Sequence, residues 1–189
     1  MVSPTSMKWV IMPEEIPWGG NRIDDAFWQF FCNLLGEGNM KRFHKENNAD
    51  YLKFFRGFEV QKSKRTSGNI SISIPSALSE ILDNKISEAI SSSRYKDVVL
   101  LNKKTLKCKI QFRLFKTFFK ETCENIQSHL QKMWNENDLT DVQTVLLVGG
   151  FAECYTVENM MREHLKLRGK RLILPTEPGL AVLKGAIYM

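Results

Sequence analysis

Residues 145–153 read VLLVGGFAE, and their pattern decides the fold class. Four consecutive apolar residues, Val145 to Val148, suit a strand covered on both faces, as in a central parallel strand. Gly149 and Gly150 then end the strand, and a helical pattern takes up near Thr156 and runs to Leu167. A second short strand at 171–174 and a proline-led helix from Pro178 follow. The last third is therefore helix, strand, glycine loop, helix, strand, helix, an α/β order that implies a parallel sheet.

Working outward, the middle of the chain is rich in helices. Ile23, Phe27, Phe30, Phe31 and Leu34 recur at helical spacing and stop at Gly36. A second helix is expected over 40–45. A third, capped by Asn48 or Asp50, carries Tyr51, Leu52, Phe54, Phe55 and Phe58 toward Lys64. Ile70, Ile72 and Ile74 alternate with serines as in a half-buried strand, ended by Pro75. One helix capped by Ser76 should turn Leu78, Ile81, Leu82, Ile86 and Ile90 inward. Residues 98–101 and 105–110 flank Asn102-Lys103-Lys104 as a hairpin, and a long amphipathic helix starts at Gln111. Near the start, residues 8–12 (KWVIM) read as a short buried strand, followed by a loop framed by Pro13 and Pro17.

Composition narrows the function. The 189 residues are 43% hydrophobic and 25% charged, an ordinary globular balance. The net charge is +6. It falls in separate clumps: Lys62, Lys64 and Arg65; Lys103, Lys104, Lys107 and Lys109; Lys166, Arg168, Lys170 and Arg171. Each clump is mixed with apolar positions, as on a solvated face; an anionic partner (nucleotide phosphate, nucleic acid or acidic protein) is the sharper reading, and no nucleic-acid-reading signature accompanies them. Cys32, Cys108, Cys123 and Cys154 form no C-x-x-C pair, and His44, His129 and His164 have no ligand spacing. No metal site or disulfide framework is expected. A reducing, cytoplasmic setting fits, with no signal peptide and no membrane span.

Two segments could carry chemistry. In the loop after Val148, Gly149 and Gly150 bring bare backbone to the carboxyl edge of the sheet, where a flat ring or phosphate can approach without a Cβ clash. In residues 175–186, PTEPGLAVLKGA, Gly179 beside Pro178 permits close approach to that first loop. Gly185 inside the helix costs about 1 kcal/mol against alanine, so a packing reason is expected. Each segment also has a plain structural reading as a turn and as helix-on-sheet packing.

Taken together, VLLVGGFAE (145–153) and LPTEPGLAVLKGA (174–186) resemble the adenosine motif and closing helix of the actin-like ATPases of the heat-shock protein 70 superfamily. Within it they look like the atypical heat shock 70 kDa protein 12 branch. PWGGNRIDDAF (17–27) is similar to the Gly-Gly segment that enters the family's small subdomain, and FFRGFEVQKSKR (54–65) resembles its helix over the nucleotide sugar and base. The order holds from about residue 8 to 189.

The resemblance implies an actin-like (ribonuclease H-like) ATPase lobe. Residues 1–20 and 108–189 would form a large α/β subdomain with a parallel or mixed sheet, and 21–107 an inserted, helix-rich α+β small subdomain. It implies ATP or ADP as ligand. Gly149 and Gly150 would back the ribose and phosphates, with Phe151 and Glu153 beside them. Gly179 would close the base pocket, Glu59 and Lys62 would meet the ribose hydroxyls, and Gly19 and Gly20 would enter the small subdomain. Glu59 and Lys62 lie three apart on a helix and so share a face, which also suits a surface ion pair. Ser63 stands where typical chaperones of the family place an arginine against adenine.

No D-x-G-T-like or G-G-G-T-like loop occurs in the sequence. The resemblance therefore implies that Mg2+, the first phosphate loop and catalysis belong to another lobe, and that this chain is one lobe with no catalytic residue of its own. That lobe, or another protein, is the expected partner. A non-catalytic pseudo-ATPase scaffold or interaction module is the alternative, and a sugar kinase of the same superfamily lacks its general-base aspartate here.

Overall fold

Aromatic side chains organise the helical half. In the computed structural model, which describes residues 17–63, 68–136 and 139–187, helix α1 (Gly20–Leu35) buries Ile23, Phe27, Phe30, Phe31, Leu34 and Leu35. It ends at Gly36, whose φ of 92° is open to glycine at little cost. Helices α2 (Glu37–Glu46) and α3 (Asn48–Lys62) follow, joined at Asn47. Phe27 of α1 stacks on Phe58 of α3 at 3.9 Å and 10° between planes. Phe31 and Phe54 meet edge to face around this pair. This stack fixes α1 on α3 and so positions the polar ends of both helices.

Strand β1 (Ile70–Ser73) points its isoleucines inward and its serines outward. After it come α4 (Ser76–Ile81), α5 (Ile86–Ser92), β2 (Val99–Asn102) and β3 (Lys107–Ile110). The strands form an antiparallel sheet in the order β1-β3-β2, with Ile110 opposite both Ile70 and Val99. The long α6 (Phe112–Glu136) lays Phe115, Phe118, Phe119 and Cys123 against this core. Then β4 (Thr144–Leu146), α7 (Tyr155–Lys166) and β5 (Arg171–Ile173) form a crossover unit whose two strands pair in parallel, Val145 opposite Leu172. A short 3-10 turn, Pro178–Leu180, leads into α8 (Ala181–Ile187).

The described residues make a mixed α/β fold with two small sheets, and several expectations change. The helix expected through 76–90 is two helices, because Asp83 and Asn84 take φ of 49° and 61° and break the path. None of Asn48, Asp50 and Ser76 caps its helix: Asn47 and Pro75 hold the cap positions without side-chain bonds, and Asp50 pairs with Lys53 instead. Helix α3 ends at Lys62, with Ser63 as its C-cap. The second hairpin strand starts at Lys107, since Leu106 turns with φ 48°.

The run at 145–148 is not covered on both faces. Among the described residues β4 pairs only with β5, and Leu146 is 58% exposed. Among the described residues a Cβ on Gly185 meets nothing within 4 Å, so the expected packing reason is not seen there. The boundary expected at 107/108 falls inside β3, whose strand partners both lie before it. The strand expected at 8–12, and Lys64 and Arg65 of the first basic clump, lie outside the described residues. The hairpin lysines and Lys166, Arg168 and Arg171 are solvent-exposed at separate places, as on a solvated face.

Candidate functional site

The Phe27–Phe58 stack brings the first turns of α1 alongside the last turn of α3, and an ammonium sits in the joint. Lys62 Nζ donates to Glu59 Oε1 at 2.5 Å and to Asp24 Oδ1 at 2.7 Å. It also lies 3.4 Å from the carbonyl oxygen of Gly20. The Lys62 side chain is only 8% exposed, against 24% for Asp24 and 50% for Glu59. The spacing of Glu59 and Lys62 suited a surface pair. The structure instead buries the lysine in a three-way cluster, since Asp24 arrives from a helix 38 residues away in sequence. Burial lifts the Asp24 carboxyl above the ordinary carboxylate range, while the adjacent Lys62 ammonium works against that rise.

The glycine loop forms the next wall. Gly149 has φ 91° and ψ 166°, a region reserved for glycine, and its N–H donates to the Pro178 carbonyl at 2.8 Å. Residues Gly150–Glu153 make one 3-10 turn. A Cβ on Gly179 would stand 2.4 Å from Glu153 Oε1 and 3.8 Å from Gly150 Cα, so the two glycine segments abut, as the sequence indicated. Among the described residues, an added Cβ at Gly149 or Gly150 would meet nothing within 4 Å, so the backbone there is open with respect to them.

Two contacts tie this wall to the lysine cluster. Phe151 Cδ2 lies 3.8 Å from where a Cβ of Gly20 would be. The buried Cys154 thiol donates to the Lys62 carbonyl at 3.0 Å. Burial raises the Cys154 thiol above its ordinary range, which keeps the proton that this bond requires.

The structure thus gathers Gly20, Glu59, Lys62 and Phe151 in one cluster, with Gly149, Gly150, Glu153 and Gly179 in the adjoining loop pair. Ser63 and Gly19 are not drawn in. Ser63 is an exposed residue at the C-terminus of α3, its N–H bonded to the Glu59 carbonyl, and a Cβ on Gly19 would meet nothing. Asp24 and Cys154 escaped the sequence reading. Asp24 has a faint signal, lying one helical turn after Gly20 within the quoted 17–27 segment. Cys154 has none, because a thiol's partner across 92 residues leaves no local pattern.

A groove of about 820 Å³ runs beside β5, lined by Glu153, Glu158, Arg162 and residues 171–178. It meets the site through Glu153 and Pro178 only, and the lysine cluster lies outside it. Among the described residues no three His, Cys, Asp or Glu side chains come together as metal ligands. Among them, too, no helix is long and apolar enough to cross a membrane.

Fold and site together define a mixed α/β protein in which the segment after a strand-end glycine loop touches an acid–lysine cluster at a helix–helix joint through Phe151 and Cys154. The chain is 24% identical over 176 residues to heat shock 70 kDa protein 12B of Homo sapiens. It is 23% and 22% identical over 178 residues to heat shock 70 kDa protein 12A of Mus musculus and of Homo sapiens. Each match covers 90% of this chain and 26% of the relative, so the chain spans about a quarter of the length of those proteins. Three concordant matches over nearly the whole chain support its likeness to the heat shock 70 kDa protein 12 proteins. No family model matches the chain, and no solved structure matches it significantly.

Proposed function

We propose that this chain is an adenine-nucleotide-binding lobe of an actin-like, heat-shock protein 70-type ATPase, acting in a chaperone-related, cytoplasmic role. The observation that carries the reading is the junction between the bare backbone of Gly149 and Gly150 and the Asp24–Lys62–Glu59 cluster. Open space at both glycines leaves room for a flat ligand, and the half-exposed Glu59 can accept hydrogen bonds from sugar hydroxyls. The relatives' names support the family context. In this reading residues 1–20 and 108–189 form the large subdomain and 21–107 the inserted one. When bound, ATP with Mg2+ supplies a phosphoryl group for transfer, and its phosphate clamps belong to another lobe. This chain's own residues bind and orient the nucleoside end.

A second reading is a scaffold that keeps the fold without the ligand. It is favoured by the Lys62 ammonium being engaged by three acceptors within the protein and by Ser63 standing exposed beside it. Calorimetric titration with ADP and ATP separates the two readings. The wild-type chain should bind saturably, and Gly150→Asp should abolish binding while folding normally, because its side chain enters open space. A folded wild-type chain that binds neither nucleotide leaves the scaffold.

A further inference from the structure

Another hollow, of about 640 Å³, opens between α1, α2 and α3. It shares Asp24 with the lysine cluster and none of the residues of the glycine loops. Aromatic rings make its wall: Trp28 from α1, His44 from α2, and Tyr51 and Phe55 from α3. Trp28 stands 5.7 Å from Tyr51 with 79° between planes, so the two rings form a corner. Phe55 lies 4.7 Å from Tyr51 and 6.2 Å from Trp28. His44 stacks on Tyr51 at 4.0 Å. Trp28, Tyr51 and Phe55 rest against the buried core, yet each keeps part of its surface exposed. The rim is acidic. Asp24 spends its carboxylate on Lys62, whereas Asp25 enters no ion pair among the described residues. Burial, with the nearby Asp24 and Asp25 carboxylates, raises the Tyr51 hydroxyl above its ordinary range, so its ring stays uncharged. Lys41 also lines the hollow, but Glu37 holds it at 2.6 Å. The carboxylate left uncompensated here is that of Asp25.

We propose that this hollow binds a methylated ammonium group, the trimethylammonium head of a small molecule or of a modified lysine side chain. The face of an aromatic ring carries negative potential and attracts a cation laid against it, tryptophan most strongly. A trimethylammonium head has no N–H to leave unpaired, and its methyl groups pack on the rings. A bare lysine ammonium is strongly hydrated and brings three donors that ring faces match poorly. Asp25 adds attraction from the rim, and it repels an anion. An uncharged guest of the same shape gains the packing and nothing from the charge. The site stands apart from the nucleotide reading, so either can fail without the other.

Proton NMR of the wild-type chain with tetramethylammonium is the first test. Binding against ring faces should move the methyl signal of the ion upfield and shift the Trp28 indole signal, both saturating at millimolar concentration. Choline and its uncharged carbon isostere, 3,3-dimethyl-1-butanol, then separate charge from shape: choline should bind about fivefold more tightly. Trimethyl-lysine amide should exceed lysine amide by about the same factor. Whichever of choline and trimethyl-lysine binds better names the source of the head group, and either order upholds the site. Trp28→Leu, which keeps an apolar side chain, should weaken choline about tenfold, and the exposed Asp25→Asn about twofold. Equal affinity for choline and its isostere overturns the proposal, as does equal affinity for lysine and trimethyl-lysine. So does a Trp28 signal that stays in place at saturating tetramethylammonium. These three readings use the wild-type chain, so they decide the matter even where Trp28→Leu fails to fold.

Discussion

Two adjacent glycines in the loop at 149–150 have different reasons for being glycine. Gly149 sits at φ 91°, where a side chain strains the backbone, and Gly150 does not, although an added Cβ finds open space at either. Gly149→Ala should therefore cost about 1–3 kcal/mol in urea denaturation. Gly150→Ala should stay within about 0.5 kcal/mol of the wild type. Equal losses would remove the conformational argument. His164 offers a second residue-scale test. Its ring stacks parallel to Trp134 at 6.5 Å, and its Nε2 is buried without a hydrogen-bond partner. Burial, helped by the Arg168 guanidinium, holds its pKa below the usual 6.5. The unfolded chain then binds a proton that the folded chain resists. Stability is complete above the unfolded value and falls as pH drops through it. Chemical denaturation at pH 7.5 and 5.5 should show this loss in the wild type, and a smaller one in His164→Phe. The same slope in both would assign the acid sensitivity elsewhere.

At the scale of elements, the site depends on how α1 lies on α3. Phe27 and Phe58 are fully buried and stacked at 3.9 Å, directly beneath the turns that carry Asp24, Glu59 and Lys62. Phe58→Ala opens a cavity in that contact and should cost about 3–5 kcal/mol. It should also release Lys62 from Asp24, visible as faster exchange of its ammonium protons. A variant that loses stability with the Lys62 signal intact would show that the cluster does not need the stack. The amphipathic spacing of α1 and α6 was legible because each helix buries one stripe, and 3.6 residues per turn writes that stripe into the sequence. The break between α4 and α5 was not. Its inward residues keep helical spacing on both sides, and only the left-handed backbone at Asp83 and Asn84 interrupts them. Asp and Asn tolerate that conformation but do not announce it.

For the whole molecule, apolar surface concentrates at the C-terminal end. Leu146, Val148, Ile173, Leu180, Val182, Leu183 and Ile187 are all exposed, and α8 buries no residue. Patches of this kind promote association. Light scattering at rising concentration should reveal self-association of the wild type. The double substitution Val182→Lys with Leu183→Glu should suppress it without moving the urea midpoint, since neither side chain is in the core. A lowered midpoint would mean that α8 contributes to folding.

By itself the sequence determined the helix stripes, the alternating strand at 70–73, the crossover unit around Gly149 and Gly150, and the close approach of Gly179, because each is set by neighbours a few residues apart. It also carried the family resemblance, in short motifs whose order survives where overall identity has fallen to 22–24%. Only the tertiary structure decided that β4 is open to solvent, that Lys62 is buried between a half-exposed Glu59 and Asp24, and that Asp24 and Cys154 belong to the site. Burial and partnership across 38 and 92 residues depend on which surfaces meet after the chain has folded, and local periodicity does not record that.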